Sequence, residues 1–194
     1  DASSFSIDGS SGVITFNAAP DYESKTSYLI TVNVNDGVNT TTQSVTISVT
    51  NVNEYSPVIS SSSTFSVAEN QTSVGTTIAS DGDTSETLTY SLTGTDASSF
   101  SIDGSSGVIT FNAAPDYESK TSYLITVNVN DGVNTTTQSV TVDVTNLNDN
   151  DPVISSSASY SVAENQTSVG TASASDADGD QLTFSLSGTD ASSF

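Results

Sequence analysis

Tyr123-Leu124-Ile125-Thr126-Val127-Asn128-Val129-Asn130-Asp131-Gly132 is the stretch that decides the fold. Tyr123, Ile125, Val127 and Val129 occupy every second position. That period, carried by β-branched and aromatic residues, is the pattern of a strand with one face on a core. The closing Asn-Asp-Gly is a turn signal. Working outward, the same alternation recurs at Val140, Val142 and Val144, at Phe100 and Ile102, and from Val108 to Phe111. It recurs again at Leu88, Tyr90 and Leu92, and at Phe65 and Val67. Asp103-Gly104-Ser105-Ser106-Gly107 reads as a turn between two of these runs, and no segment carries a helical stripe.

The pattern is repeated along the chain. Asp-Ala-Ser-Ser-Phe begins at Asp1, Asp96 and Asp190, and Val-Ala-Glu-Asn occupies 67–70 and 162–165. Residues 1–46 are identical to residues 96–141. The period of 95 residues suits a whole small domain rather than a solenoid turn. Pro57 and Pro152 precede the two Val-Ala-Glu-Asn motifs and mark natural boundaries. The expected division is residues 1–55 as the C-terminal half of one repeat, 56–150 as a complete repeat, and 151–194 as the N-terminal half of the next. About seven short strands in such a period imply an all-β architecture: immunoglobulin-like Greek-key β-sandwich repeats in tandem. Half-repeats leave open edges. Their expected partners are neighbouring repeats of the same chain or of an identical one, including a swap of 151–194 onto 1–55 of a second copy.

Composition narrows function. The chain has 23 Asp and Glu against Lys25 and Lys120, for a formal net charge of −21. Nucleic acid and anionic membranes need a basic face, so neither is an expected partner. With no Cys and no His, the usual nucleophile, base and soft-metal ligands are missing, so neither an enzyme nor a zinc site is expected. A hard, oxygen-seeking cation such as Ca²⁺ suits what remains. No apolar run is long enough to insert in a membrane. Asn39, Asn70, Asn134 and Asn165 open Asn-x-Thr sequons.

The acids are grouped. Ala68-Glu69-Asn70 recurs at 163–165, Asp116-Tyr117-Glu118 at 21–23, and Asn130-Asp131-Gly132 at 35–37. Asp176-Ala177-Asp178-Gly179-Asp180 has a shorter counterpart at Asp81-Gly82-Asp83. The linker Asn146-Leu147-Asn148-Asp149-Asn150 corresponds to Asn51-Val52-Asn53-Glu54-Tyr55. On extended chain, acids two positions apart point the same way. They repel until a cation sits between them, and Ca²⁺ takes six to eight oxygens from carboxylates and carbonyls.

The order of these motifs resembles the cadherin repeat in its bacterial cadherin-like form. Residues 100–119, Phe-Ser-Ile-Asp through Tyr117-Glu118-Ser119, are similar to the segment leading to that family's Leu-Asp-Arg-Glu motif. Tyr123 to Gly132 is similar to its Tyr-x-Leu-x-Val-x-Ala-x-Asp-x-Gly strand, and Asn146 to Pro152 to its Asp-x-Asn-Asp-Asn-x-Pro linker. The resemblance implies calcium at each joint, held by the preceding domain, the linker and the following domain. For the second joint it implies Glu69, Asp116 and Glu118, then Asn146, Asn148, Asp149 and Asn150, then Asp176 and Asp178. For the first it implies Asp21 and Glu23, then Asn51, Asn53 and Glu54, then Asp81, Asp83 and Asp131. Asn51 and Asn146 replace the linker's leading Asp, and Glu54-Tyr55 replaces Asp-Asn, so lower occupancy is expected at the first joint. The implied role is that of calcium-rigidified extender repeats of a bacterial cell-surface adhesin, outside the cell, with cell-surface glycans or proteins as further partners. The alternatives are a subunit of an extracellular filament, sheath or virion fibre, and a carbohydrate-binding module, for which a cluster of exposed aromatics would be the sign.

Overall fold

The computed structural model describes residues 1–84 and 86–193. The first segment contributes two hairpins, β1 (Phe5–Ile7) with β2 (Ile14–Phe16) and β3 (Ser27–Asn35) with β4 (Thr40–Ser48). The central repeat runs through β5 (Val58–Ile59), β6 (Thr64–Ala68), β7 (Ser73–Thr76), β8 (Ala79–Ser80) and β9 (Thr89–Thr93). It continues with β10 (Phe100–Ile102), β11 (Val108–Phe111), β12 (Ser122–Asn130) and β13 (Thr135–Thr145). The last segment pairs β14 (Val153–Ile154) with β15 (Ala174–Ser175). Helical structure among the described residues is limited to three short 3-10 turns, each on an Ala-Ser-Ser. The expected all-β, immunoglobulin-like sandwich is the fold observed.

Two sheets enclose the central core. One has the order β6-β13-β12-β9, the other β10-β11-β7. β12 and β13 form a hairpin from Ser122↔Asp143 to Asn130↔Thr135. β6 lies parallel to β13, from Thr64↔Thr141 to Ala68↔Thr145, so chain ends distant in sequence close the sheet. The entering strand is divided: β5 pairs with β8, then the chain crosses to place β6 on β13. Alternation on β12 and β13 sends Ile125, Val127, Val129, Val140 and Val142 inward, each fully buried. Opposite them lie Ile109, Phe100 and Phe111. Burial of this apolar surface is the main drive for sheet packing.

The aromatic end of the core explains the Asp-Ala-Ser-Ser-Phe motif. Phe100 and Phe111 stack with ring centroids 4.3 Å apart, and Tyr123 meets both edge-on at 5.5 and 5.1 Å. Lys120 lies 4.5 Å above the Tyr123 ring and pairs with Asp96, whose second oxygen accepts the Leu124 N–H. Both lysines are used this way, since Lys25, Asp1, Tyr28 and Leu29 repeat the arrangement. The Asp103 turn also forms as expected: Asp103 Oδ1 accepts N–H and O–H groups from Ser105 and Ser106, which hold its carboxyl well below the usual range.

The sequence pattern did not single out β7 and β8. Gly75 breaks the alternation there because the Phe65 ring takes the space of a side chain: a Cβ would stand 2.5 Å from it. A register shift at Ile109/Thr110 loosens the pairing with β7 further.

Identical sequence gives identical hairpins but different burial. β3 and β4 keep the register of β12 and β13. Val129 is fully buried, whereas its twin Val34 is 67% exposed. In the central repeat β6 and β9 extend the sheet on either side of the β12–β13 hairpin, and β7 widens the sheet that faces it. Replacing Ile109 with Ala should lower stability by about 2–5 kcal/mol, while Thr137→Ala on the outer face should stay within about 0.5 kcal/mol, read by chemical denaturation.

Candidate metal centres at the two joints

The second joint is organised by a buried glutamate. β6 ends at Ala68, and Glu69 continues its pairing through an N–H to the Thr145 carbonyl at 3.1 Å. Glu69 is 1% exposed. Its Oε1 accepts the Leu147 N–H at 2.6 Å and its Oε2 accepts the Tyr117 N–H at 2.9 Å. One carboxylate therefore fixes both the linker and the Asp116-Tyr117-Glu118 turn. Asn70 follows with φ of 62°, a left-handed position that Asn tolerates. Its amide donates to Asp149 Oδ2 at 2.5 Å.

Around this frame the acids converge. Glu69, Glu118, Asp149 and Asp178 each present an oxygen within 4.8 Å of the others. Asp176, Asp178 and Asp180 make a second such group, sharing Asp178. The Asn150 amide lies among them, donating to Asp149 Oδ1 at 2.9 Å, Asp178 Oδ1 at 3.0 Å and Glu118 Oε2 at 3.4 Å. Asp178 Oδ2 accepts the N–H groups of Asn150 and Asp149, and its carbonyl accepts the Asn146 amide at 2.8 Å. The Asn150 amide holds the Asp178 carboxyl below the usual range. Desolvation, followed by the charges of Glu69 and Asp178, pushes the Glu118 carboxyl up.

At the first joint Glu23, Glu54 and Asp83 converge to the same 4.8 Å limit. Asp83 is 6% exposed. Its Oδ2 accepts the Tyr55 N–H at 2.9 Å, and its own N–H goes to Asp81 Oδ1. Five neighbouring buried oxygens meet no donor: both of Glu23, Asp81 Oδ2, Asp83 Oδ1 and Asn51 Oδ1. Desolvation, then the charges of Asp83, Glu23 and Asp21, push Glu54 up. Buried acceptors without donors are costly and uncommon. Hard oxygens from carboxylates and an amide, gathered and unpaired, fit the coordination of a cation such as Ca²⁺.

Other expected residues have different places. Asp116 and Asp21 accept the N–H groups two and three residues on, and both are held below the usual carboxylate range, chiefly by the hydroxyls of Ser119 and Ser24. Asp116 still lines the cavity bounded by Glu69, Asn70, Glu118 and Asp149. Asp131 is buried, with Oδ1 bonded to the Val133 and Asn134 N–H groups, and it stands outside the acid group. Asn53 packs against Asp131 and Asn134 at the base of the linker. Asn148 lines a separate cleft with Asp176 and Asp180. Three residues of the joints were absent from the expected set: Asn70, Asn134 and Asp180. Asn134 donates to the Tyr55 carbonyl at 2.9 Å. The amides of the Asn70 and Asn134 sequons are thus engaged in the joints. Asp180 was visible as the third acid of an Asp-x-Asp-x-Asp run.

Residues 63–145 match the family model described as the cadherin domain. Over these residues the chain is similar to cadherin domains. The surrounding chain is similar to mouse Protocadherin Fat 4, at 35% identity over 132 residues, covering 63% of the chain and 3% of that protein. Human Protocadherin-16 is 38% identical over 145 residues, covering 68% of the chain and 4% of that protein. The chain therefore spans a few per cent of the length of these relatives. Among solved structures it superposes on mouse Protocadherin-24 EC1-3 with a TM-score of 0.74 and 26% identity, covering 92% of the chain and 64% of that structure. The matched repeat has its acidic turns at strand ends, next to the linkers.

Glu69→Ala should leave the partly buried Tyr117 and Leu147 N–H groups without their carboxylate acceptor. Each should cost about 1–3 kcal/mol, measured by denaturation in chelator so that bound cations play no part.

Proposed function

We propose that the chain is a calcium-stiffened spacer in an extracellular adhesion protein, with residues 56–150 as one complete repeat and calcium held at the joints on either side. The observation that carries this reading is the set of buried oxygens at the first joint that meet no donor: Glu23, Asp81, Asp83 and Asn51. Calcium supplies the positive charge that those carboxylates lack. Glu23 belongs to the segment before the linker, Glu54 to the linker, and Asp81 and Asp83 to the repeat after it, so shared ligation ties three pieces of chain together. Glu118, Asp149 and Asp178 repeat that division at the second joint. A linker of five residues between domains bends freely unless such a tie fixes it.

The likeness to protocadherins supports a surface role. The near-identity of repeats supports a long array of the kind found in a bacterial surface adhesin, while the relatives compared above are animal proteins; both settings lie outside the cell. Among the described residues no helix is long and apolar enough to cross a membrane.

Equilibrium dialysis tests the ligand assignment at the roughly 10⁻⁴–10⁻³ M affinities of extracellular modules. Glu23→Gln with Asp83→Asn should lower calcium stoichiometry at the first joint only. Glu118→Gln with Asp178→Asn should lower it at the second only. Unchanged stoichiometry in both variants would remove the assignment.

A further inference from the structure

The inner face of β13 changes character along its length. Val140, Val142 and Val144 point into the core. The same alternation, followed towards the start of the strand, brings Gln138 and Thr136 to the inner face, opposite the buried Val127 and Val129 of β12. Both are polar, and both meet the chain that enters the repeat. Thr136 Oγ1 donates to the Pro57 carbonyl at 2.6 Å, and Gln138 Nε2 donates to the Ser61 carbonyl at 3.4 Å. Here the chain leaves β5, which pairs with β8, and crosses to place β6 on β13. Backbone groups at such a crossing lose their ladder partners, and polar side chains take them up.

Three buried oxygens remain at this crossing. Ser61 Oγ, Thr77 Oγ1 and Gln138 Oε1 have no hydrogen-bond partner among the described residues. Thr77 is 2% exposed, and its N–H goes to the Gly107 carbonyl at 2.9 Å. The β5–β8 register, Val58↔Ser80 and Ile59↔Ala79, continues into Ser60 and Ser61, whose N–H groups share the Ile78 carbonyl. That register sets Ser61 beside Thr77. Gln138 is tied to the Ser61 carbonyl, so its amide oxygen belongs to the same corner of the core. Buried oxygens of this kind cost stability unless they are bonded. Two hydroxyls and an amide, with no carboxylate among them, suit a neutral ligand rather than a cation.

We propose that one internal water molecule binds at this crossing, held by Ser61, Thr77 and Gln138. The amide oxygen only accepts, whereas each hydroxyl can donate or accept. Water donates to Gln138 Oε1 and to one hydroxyl, and accepts from the other. Roughly three partners is the usual complement of a buried water. The bridge joins the chain after β5, the chain before β8, and β13, at the point where the entering strand changes sheets. It explains why polar residues take inner positions of β13 that the alternation would otherwise give to Val. The proposal is independent of any cation at the joints.

A high-resolution crystal structure of the full chain tests it directly. An ordered water should stand about 2.7–3.2 Å from Ser61 Oγ, Thr77 Oγ1 and Gln138 Oε1. Chemical denaturation of variants tests it by sign. Thr77→Val and Ser61→Ala each remove one partner of the water, and each should lower the folding equilibrium constant about fivefold. The double variant should lower it by less than the product of the two, because both substitutions act on one molecule. If the oxygens are bare, the substitutions relieve a cost, and the constant should rise instead. A rise in either single variant, or effects that multiply in the double variant, would overturn the proposal. So would a crystal structure of the unsubstituted chain with no water at this place, and that arm holds even if a variant fails to fold.

Discussion

Three carboxylates from three separate pieces of chain meet at the first joint with oxygens no more than 4.8 Å apart, and several of those oxygens are buried without a donor. Like charges in such a place drive the pieces apart unless something positive holds them. Both lysines are committed elsewhere, each bound to an Asp and laid over a tyrosine ring. The chain therefore cannot neutralise its own joints, and its net charge of −21 shows how far that holds overall. We propose that a cation relieves this repulsion and that the joints stiffen when it binds.

The sandwich sets the geometry. Parallel pairing of β6 with β13 brings Ala68 beside Thr145, so Glu69 emerges next to the outgoing linker. From there it accepts an N–H from the linker and another from the Tyr117 turn. Both contacts are partly buried, which couples the position of these acids to the integrity of the core. The positions of these carboxylates therefore depend on the packing of the repeats that carry them.

Much of this was legible in the chain. The alternation of Tyr123, Ile125, Val127 and Val129 gave strand and face together, because a half-buried strand has a strict period of two. The internal repeat gave the domain period, and the spacing of Asp and Glu gave the acid groups. β7 was not legible, because Gly75 is dictated by the Phe65 ring, a contact between strands rather than a local preference. The role of Glu69 was visible only as an acid. Its two backbone donors lie 48 and 78 residues away in sequence, and only the closed sandwich unites them. Asn70 and Asn134 read as sequons because their motif is local, whereas their hydrogen bonds are formed across the joints. Tyr55 read as a replaced linker position, and its packing on Gly82 was not legible because the two lie 27 residues apart in sequence.

Stiffness at the joints is the property that the proposed calcium sites would supply. The most direct measurement of it is small-angle X-ray scattering of the full chain in calcium and in EDTA. The account predicts an extended particle in calcium whose maximum dimension and pair-distance profile become shorter and broader on chelation, and recover when calcium is restored. A scattering profile unchanged by EDTA would contradict it.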